Sequence, residues 1–249
     1  MSDRLPTSAL AVLALLAVAV AIWNLRAARS DITQEAVTIG HIPATVYRGP
    51  GVEQAPVIVI AHGFAGSERL MNSFAYTFAR NGYIAVTFDF AGHGRNPEPL
   101  TGNITREDGA TRTLVAETGN VLKFARGLSD GRLAILGHSM ASDIIVRAAA
   151  QNPDVAATIA VSMFSTAVTR DVPKNLLVIV GDWEGMLKTE ALRVTGLVSA
   201  PVIAQPNVTY GDFAGGTARR ATFSSYAEHV GVLYRPESLK EAQAWLDKT

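Results

Sequence analysis

Hydrophobic and polar positions follow two regimes along this chain. From Ser8 to Trp23 the run SALAVLALLAVAVAIW has no polar face at helical spacing, and no charge lies between Arg4 and Arg26. As a helix, that uncharged stretch is about 30 Å long, the thickness of a bilayer's hydrocarbon. It reads as a single membrane span, with Trp23 at an interface and Arg26 and Arg29 among the headgroups. The competing reading is a cleaved signal peptide, because Ala19-Val20-Ala21 offers a small-x-small site. Apolar character continues through Ile22, Trp23 and Leu25, where a polar segment should begin, and this favours the span. Arg4 and the terminal amine, offset by Asp3, oppose Arg26 and Arg29, a charge difference too small to set orientation. Residues 1–29 are assigned to an anchor or signal segment and 30–249 to one folded domain.

Beyond Ser30, short apolar runs alternate with longer amphipathic ones, the succession that gives a mostly parallel sheet flanked by helices. Ala36–Gly40 and Ala44–Arg48 predict an antiparallel hairpin split by His41-Ile42-Pro43. Val57–Gly63 and Tyr83–Phe90 predict buried strands on either side of a helix from Ser67 to Arg80, closed by Asn81-Gly82. A helix over about 108–128 leads to a strand at Arg132–Gly137. The helix MASDIIVRAAAQ follows and is stopped by Asn152-Pro153. Strands at VAATIAVSM and Asn175–Gly181, a helix over Met186–Leu197, a last strand around Arg220–Ser225 and a final helix over Pro236–Asp247 complete the pattern.

Composition narrows the chemistry. The chain has 249 residues, 48% of them hydrophobic, which is enough for one sizeable core. Lys and Arg number 22 against 22 Asp and Glu, so a nucleic-acid partner bound through a basic surface is not expected. With no cysteine there is no disulfide, thiolate nucleophile or Cys-ligated zinc.

Gly137-His138-Ser139-Met140-Ala141 lies where a buried strand gives way to a helix. A serine on a tight strand-to-helix turn needs small neighbours two residues either side, so that strand and helix can pass closely. The following helix would also point its N-terminal partial charge at a developing oxyanion. A serine hydroxyl needs a base to take its proton. Of His41, His62, His93, His138 and His229, only His229 follows the serine, as the order serine, acid, histidine requires. The carboxylate that fixes the histidine tautomer belongs after the strand ending at Gly181, where Asp182 and Glu184 both stand. Glu184 is preferred because it sits further out on the loop and can reach across the neighbouring strand end. Asp182 is the alternative, and Asp212 a third choice. The backbone N–H groups of Phe64 and Met140 are the candidate oxyanion donors. His62, Asp89 and His93 read as scaffold, with Gly92 and Gly94 marking a tight loop near the site.

The order HGF, DFAGHGRN, GHSMA, VGDWE and AEHVGVLYRPE resembles the α/β-hydrolase superfamily, especially its esterase, lipase and serine-aminopeptidase-like branches, over about Val37 to Leu246. The resemblance implies an α/β-hydrolase fold, with Ser139 as nucleophile, His229 as base, and Phe64 and Met140 as oxyanion donors. It also implies no metal or organic cofactor. Two departures stand out: Ala141 replaces the usual final glycine of the elbow, and the acid position reads GDWE, pointing again to Glu184. Phe164–Lys174 is too short for a lid domain, so an open site is expected. The long stretch from Ser199 to Gly216 is expected to form a flap near His229, with Asp212 or Tyr210 contacting substrate. The expected activity is hydrolysis of carboxylic esters through an acyl-enzyme. The alternatives are a noncatalytic binding protein of the same fold or, among enzymes, a peptidase, thioesterase, lactonase or polyester hydrolase. The expected partners are an ester substrate and, through the N-terminal segment, a membrane; the alternative location is secreted or periplasmic after cleavage.

Overall fold

The computed structural model describes residues 6–27, 30–103 and 108–249. Asp3, Arg4 and Arg29, which flank the apolar run, lie outside the described residues. The run itself is helix α1, Thr7–Ala27, with no buried residue. Its 21 residues make it long and apolar enough to cross a membrane, a test that a signal sequence near an N-terminus also passes.

Among the described residues, the strands form one nine-stranded sheet. The strands are β1 (Thr33–Ile39), β2 (Ile42–Arg48), β3 (Ala55–Ala61), β4 (Ile84–Phe88), β5 (Ser129–His138), β6 (Val155–Val161), β7 (Leu176–Gly181), β8 (Thr209–Tyr210) and β9 (Arg219–Ser224). Their spatial order is β1-β2-β4-β3-β5-β6-β7-β9-β8, parallel from β4 to β9 and antiparallel at both edges. Helices α2 (Asn72–Arg80), α3 (Ala110–Arg126), α4 (Met140–Gln151), α5 (Gly185–Ser199) and α6 (Pro236–Leu246) cover its faces.

Continuous apolar runs, rather than alternating ones, arise because both faces of the parallel strands are covered. In β3, Val57, Val59 and Ala61 point into a core shared with α3, α4 and α5. Ile58 and Ile60, one residue out of phase, join Phe74, Phe78 and Trp245 of α2 and α6 on the other face. The same division separates Ile135 from Leu136 and Val178 from Ile179.

Three local expectations are corrected. The hairpin turns at Gly40-His41, with Gly40 at φ 65°, so Ile42 and Pro43 already belong to β2. The helix predicted from Ser67 begins as a 3₁₀ turn over Glu68–Met71 before α2. The segment from Ser199 to Gly216 is not a flap over His229. It returns along the sheet edge as β8, and Tyr210 pairs with Arg219, five positions before the end of β9. At about 3.3 Å per residue this leaves Tyr210 roughly 17 Å from the strand end that leads to the histidine. Asp212 accepts the Gly215 N–H of its own turn, so neither Asp212 nor Tyr210 reaches the nucleophile.

Candidate active site

Four loops at the carboxyl ends of parallel strands carry the site: those after β3 (Phe64), β5 (Ser139), β7 (Glu184) and β9 (His229). Ser139 sits at φ 54°, ψ −119°, a conformation that costs of order 1–3 kcal/mol for a non-glycine residue. Its neighbours fix that turn. The Ser139 N–H donates to the Val161 carbonyl at 2.9 Å, and a Cβ on Gly137 would stand 2.7 Å from the Ala141 carbonyl oxygen. Position 137 therefore requires glycine, whereas the Ala141 methyl is accommodated, fully buried.

The histidine loop meets this elbow. His229 Nε2 lies 2.7 Å from Ser139 Oγ, and His229 Nδ1 lies 2.5 Å from Glu184 Oε1. With the Nδ1 proton donated to the carboxylate, Nε2 is left as acceptor for the serine hydroxyl. The Glu184 side chain is 7% exposed and also accepts hydrogen bonds from Ser162 Oγ and the Gly181 N–H, each at 2.7 Å. Burial would push its carboxyl up, but the bonds from His229, Ser162 and Gly181 outweigh it and hold the group below the usual carboxylate range. The Glu184 hydrogen bond outweighs desolvation at His229 and holds the imidazole above its ordinary value of 6.5. Asp182 points elsewhere, to Lys188 Nζ at 2.9 Å. The structure thus brings together Ser139, His229 and Glu184 and leaves Asp182 and Asp212 out.

Phe64 and Met140 flank the nucleophile. Among the described residues neither gives its backbone N–H to a hydrogen-bond acceptor. The ring of Phe64 packs edge-on against His93 at 5.5 Å between centroids. His62 donates from Nδ1 to the Gly63 carbonyl and accepts the Phe90 N–H at Nε2; burial pushes it down to about 4, so it remains a neutral strut. Asp89 is fully buried and accepts the N–H groups of Glu68 and Arg95. His62, Asp89 and His93 thus direct hydrogen bonds to backbone groups of the loops around the site.

Sequence reasoning missed Ser162, the buried Glu68 and the buried Glu117. Glu68 accepts from Thr45, Thr87 and Arg95, and Glu117 binds the Ala91 N–H and His41, so the two acids brace the loop beside Phe64. No local signal marks them, since each acid sits in an ordinary amphipathic context and its partners are 19 or more residues away.

Two clefts meet at Ser139 and His229. One, of about 740 Å³, runs past Phe64, Ser67, Leu70 and Tyr234. The other, of about 470 Å³, runs past Met140, Ile144, Phe164 and Leu187. The β6–β7 connection carries no helix or strand, and the site is open to solvent with Phe64 and Phe164 exposed at its mouth.

A family model described as the alpha/beta hydrolase fold matches residues 56–241. The chain belongs to the α/β-hydrolase fold family. No curated protein matches it by sequence. Among solved structures, this α/β hydrolase is similar to a predicted CIB-like hydrolase from Thermoplasma acidophilum, at 16% identity and TM-score 0.61 over 87% of this chain and 96% of that one. It is similar to a membrane phospholipase A described as a bacterial virulence factor, at 16% identity and TM-score 0.60 over 97% and 98% of the two chains. A hypothetical protein from Pseudomonas aeruginosa matches at 12% identity and TM-score 0.64, over 88% and 94%. At these identities the likeness is one of fold.

Proposed function

We propose that this hydrolase cleaves carboxylic esters through an acyl-enzyme on Ser139. The observation that carries the reading is the unbroken hydrogen-bonded chain Ser139–His229–Glu184 on a strained elbow. His229 Nε2 takes the hydroxyl proton as Oγ bonds to the ester carbonyl carbon. The resulting oxyanion is met by the N–H groups of Phe64 and Met140 and by the amino end of α4. The imidazolium, stabilised by Glu184, returns its proton to the departing alkoxide, and the alcohol leaves. His229 then deprotonates a water that attacks the acyl carbon, releasing the carboxylic acid and restoring Ser139. No step calls for a metal or an organic cofactor.

Two clefts favour esters with substantial groups on both sides of the scissile bond. At roughly 30 Å³ per water-sized group, each has room for more than ten heavy atoms. We assign residues 30–249 as the catalytic domain and residues 1–29 as its single-span membrane anchor. Helix α1 supports the anchor because it buries nothing against the domain, and its 21 residues reach about 30 Å. The fold likeness over 97% of the chain, which takes in most of α1, points the same way.

The test is turnover of a p-nitrophenyl ester together with covalent labelling by a fluorophosphonate. Ser139→Ala is expected to abolish both while the variant stays folded. Activity that survives Ser139→Ala overturns the proposal.

A further inference from the structure

Residue His138 precedes the nucleophile and takes no part in the proton transfers described above. It is 3% exposed, and its ring is directed at the histidine loop. His138 Nε2 lies 2.8 Å from the main-chain carbonyl oxygen of His229, and the two imidazole rings are 4.9 Å apart at 45°. A carbonyl only accepts, so Nε2 carries the proton. Nδ1 is then a bare lone pair, and among the described residues it has no hydrogen-bond partner. Gly63 closes off that side of the ring: a Cβ there would stand 3.0 Å from His138 Nδ1. The ring therefore has one packed orientation and one bond to make.

That bond matters because packing does not fix the base. The side chain of His229 is 45% exposed, so hydrogen bonds and its backbone must locate it. Elsewhere in the loop, the Ala227 carbonyl accepts the Trp183 N–H, and the Glu228 carboxylate caps the N–H groups of Val230 and Gly231. Among the described residues, the carbonyl of His229 itself is held by His138 alone.

We propose that His138 is a positioning residue for the base: through its Nε2–H bond to the His229 carbonyl, it ties the histidine loop to the elbow and sets the approach of His229 to Ser139. The inference rests on the ester-hydrolase reading for its kinetic consequence. Its electrostatics are consistent with the role. Burial pushes His138 down to about 4, so it stays neutral beside the imidazolium that forms on His229 in each proton transfer. A misplacement of about 1 Å in a catalytic group costs on the order of 100-fold in rate, which sets the scale of the effect.

The experiment compares His138→Gln with His138→Met in the full chain. The two replacements have similar length, and only Gln carries an N–H near the position of Nε2. His138→Met is expected to lower kcat by about 10- to 100-fold, with KM changed by less than about 3-fold and fluorophosphonate labelling slowed by the same factor as kcat. His138→Gln is expected to recover kcat to within about 5-fold of wild type, because the bond is kept. Equal kcat for the two variants, or a Met variant matching wild type, overturns the proposal. Histidine-selective ¹⁵N NMR of the wild-type protein in detergent supplies an arm independent of variant folding and of turnover. His138 should appear as the neutral Nε2–H tautomer with a slowly exchanging proton, and an Nδ1–H tautomer overturns the assignment. A wild-type protein that hydrolyses no ester would fail the functional reading while leaving this spectrum to judge the bond.

Discussion

Replacing Glu184 by Gln preserves the shape of the side chain and reverses one hydrogen bond. The carboxylate now accepts from three donors, at 2.5 Å from His229 Nδ1 and 2.7 Å from both Ser162 Oγ and the Gly181 N–H. The Gly181 N–H can only donate, and it meets the same oxygen, Oε2, as Ser162. In the variant that position keeps the amide oxygen, and the amide NH₂ turns toward His229. Nδ1 must then accept, the imidazole proton moves to Nε2, and Ser139 loses its base. Such a tautomer reversal costs about 10⁴-fold in kcat in a serine–histidine–carboxylate triad, equivalent to about 5 kcal/mol of transition-state stabilisation. Asp182→Ala, by contrast, removes a surface pair with Lys188 and is expected to change kcat by less than about 3-fold. The assay is the initial rate of p-nitrophenyl butyrate hydrolysis at saturation for wild type and both variants. Glu184→Gln within about 10-fold of wild type, or a larger loss in Asp182→Ala, would refute the tautomer argument.

The further predictions address pH, backbone and membrane. Because His229 must be neutral to act and Glu184 holds its pKa up, kcat/KM should rise with pH through a limb above 6.5, and Glu184→Ala should shift that limb downward in its residual activity. The same pair links stability to pH: the raised His229 contributes fully below about 6.5 and loses its contribution as pH climbs through its folded value. The lowered Glu184 contributes above about 4.5 and loses its contribution as pH falls through its folded value, so the wild-type advantage over Glu184→Gln in thermal melts should peak between the two. Gly94 has φ 55°, and a Cβ there would fall inside the Asp89 carboxylate, which the N–H groups of Glu68 and Arg95 hold in place. Gly94→Ala should lose about 3 kcal/mol and roughly 6–12 °C in Tm, while Gly40→Ala, at φ 65° with open space around it, should lose no more than about a third of that; equal losses would contradict the steric reasoning. Finally, the full chain should sediment with membranes after an alkaline carbonate wash, and residues 30–249 alone should be soluble with unchanged kcat on a short ester. Recovery of the mature protein in soluble form, cut near Ala21, would show a signal peptide instead.

What the sequence determined by itself was whatever local pattern encodes. Runs such as Val57–Ala61 and Leu176–Val180 can satisfy their hydrophobicity only as strands covered on both faces. Gly137-x-Ser139 at a strand-to-helix junction marked the elbow, and chain order singled out His229 because it is the lone histidine after the serine. Between neighbouring candidates the sequence could only lean, as it does towards Glu184 over Asp182, and tertiary structure supplies the physical reason. Asp182 and Glu184 share one loop, and it is the turn bonding Glu184 N–H to the Gly181 carbonyl that folds the second acid back under His229 and leaves the first facing Lys188. The expected flap at Ser199–Gly216 went to the far end of the sheet because β9 offered an open edge, and edge pairing depends on strand neighbours that no local pattern records. Ser162 and His138 gain their partners across 22 and 91 residues of chain. Periodicity reports which face of an element is buried; which polar groups meet over that face is set only when the sheet has assembled.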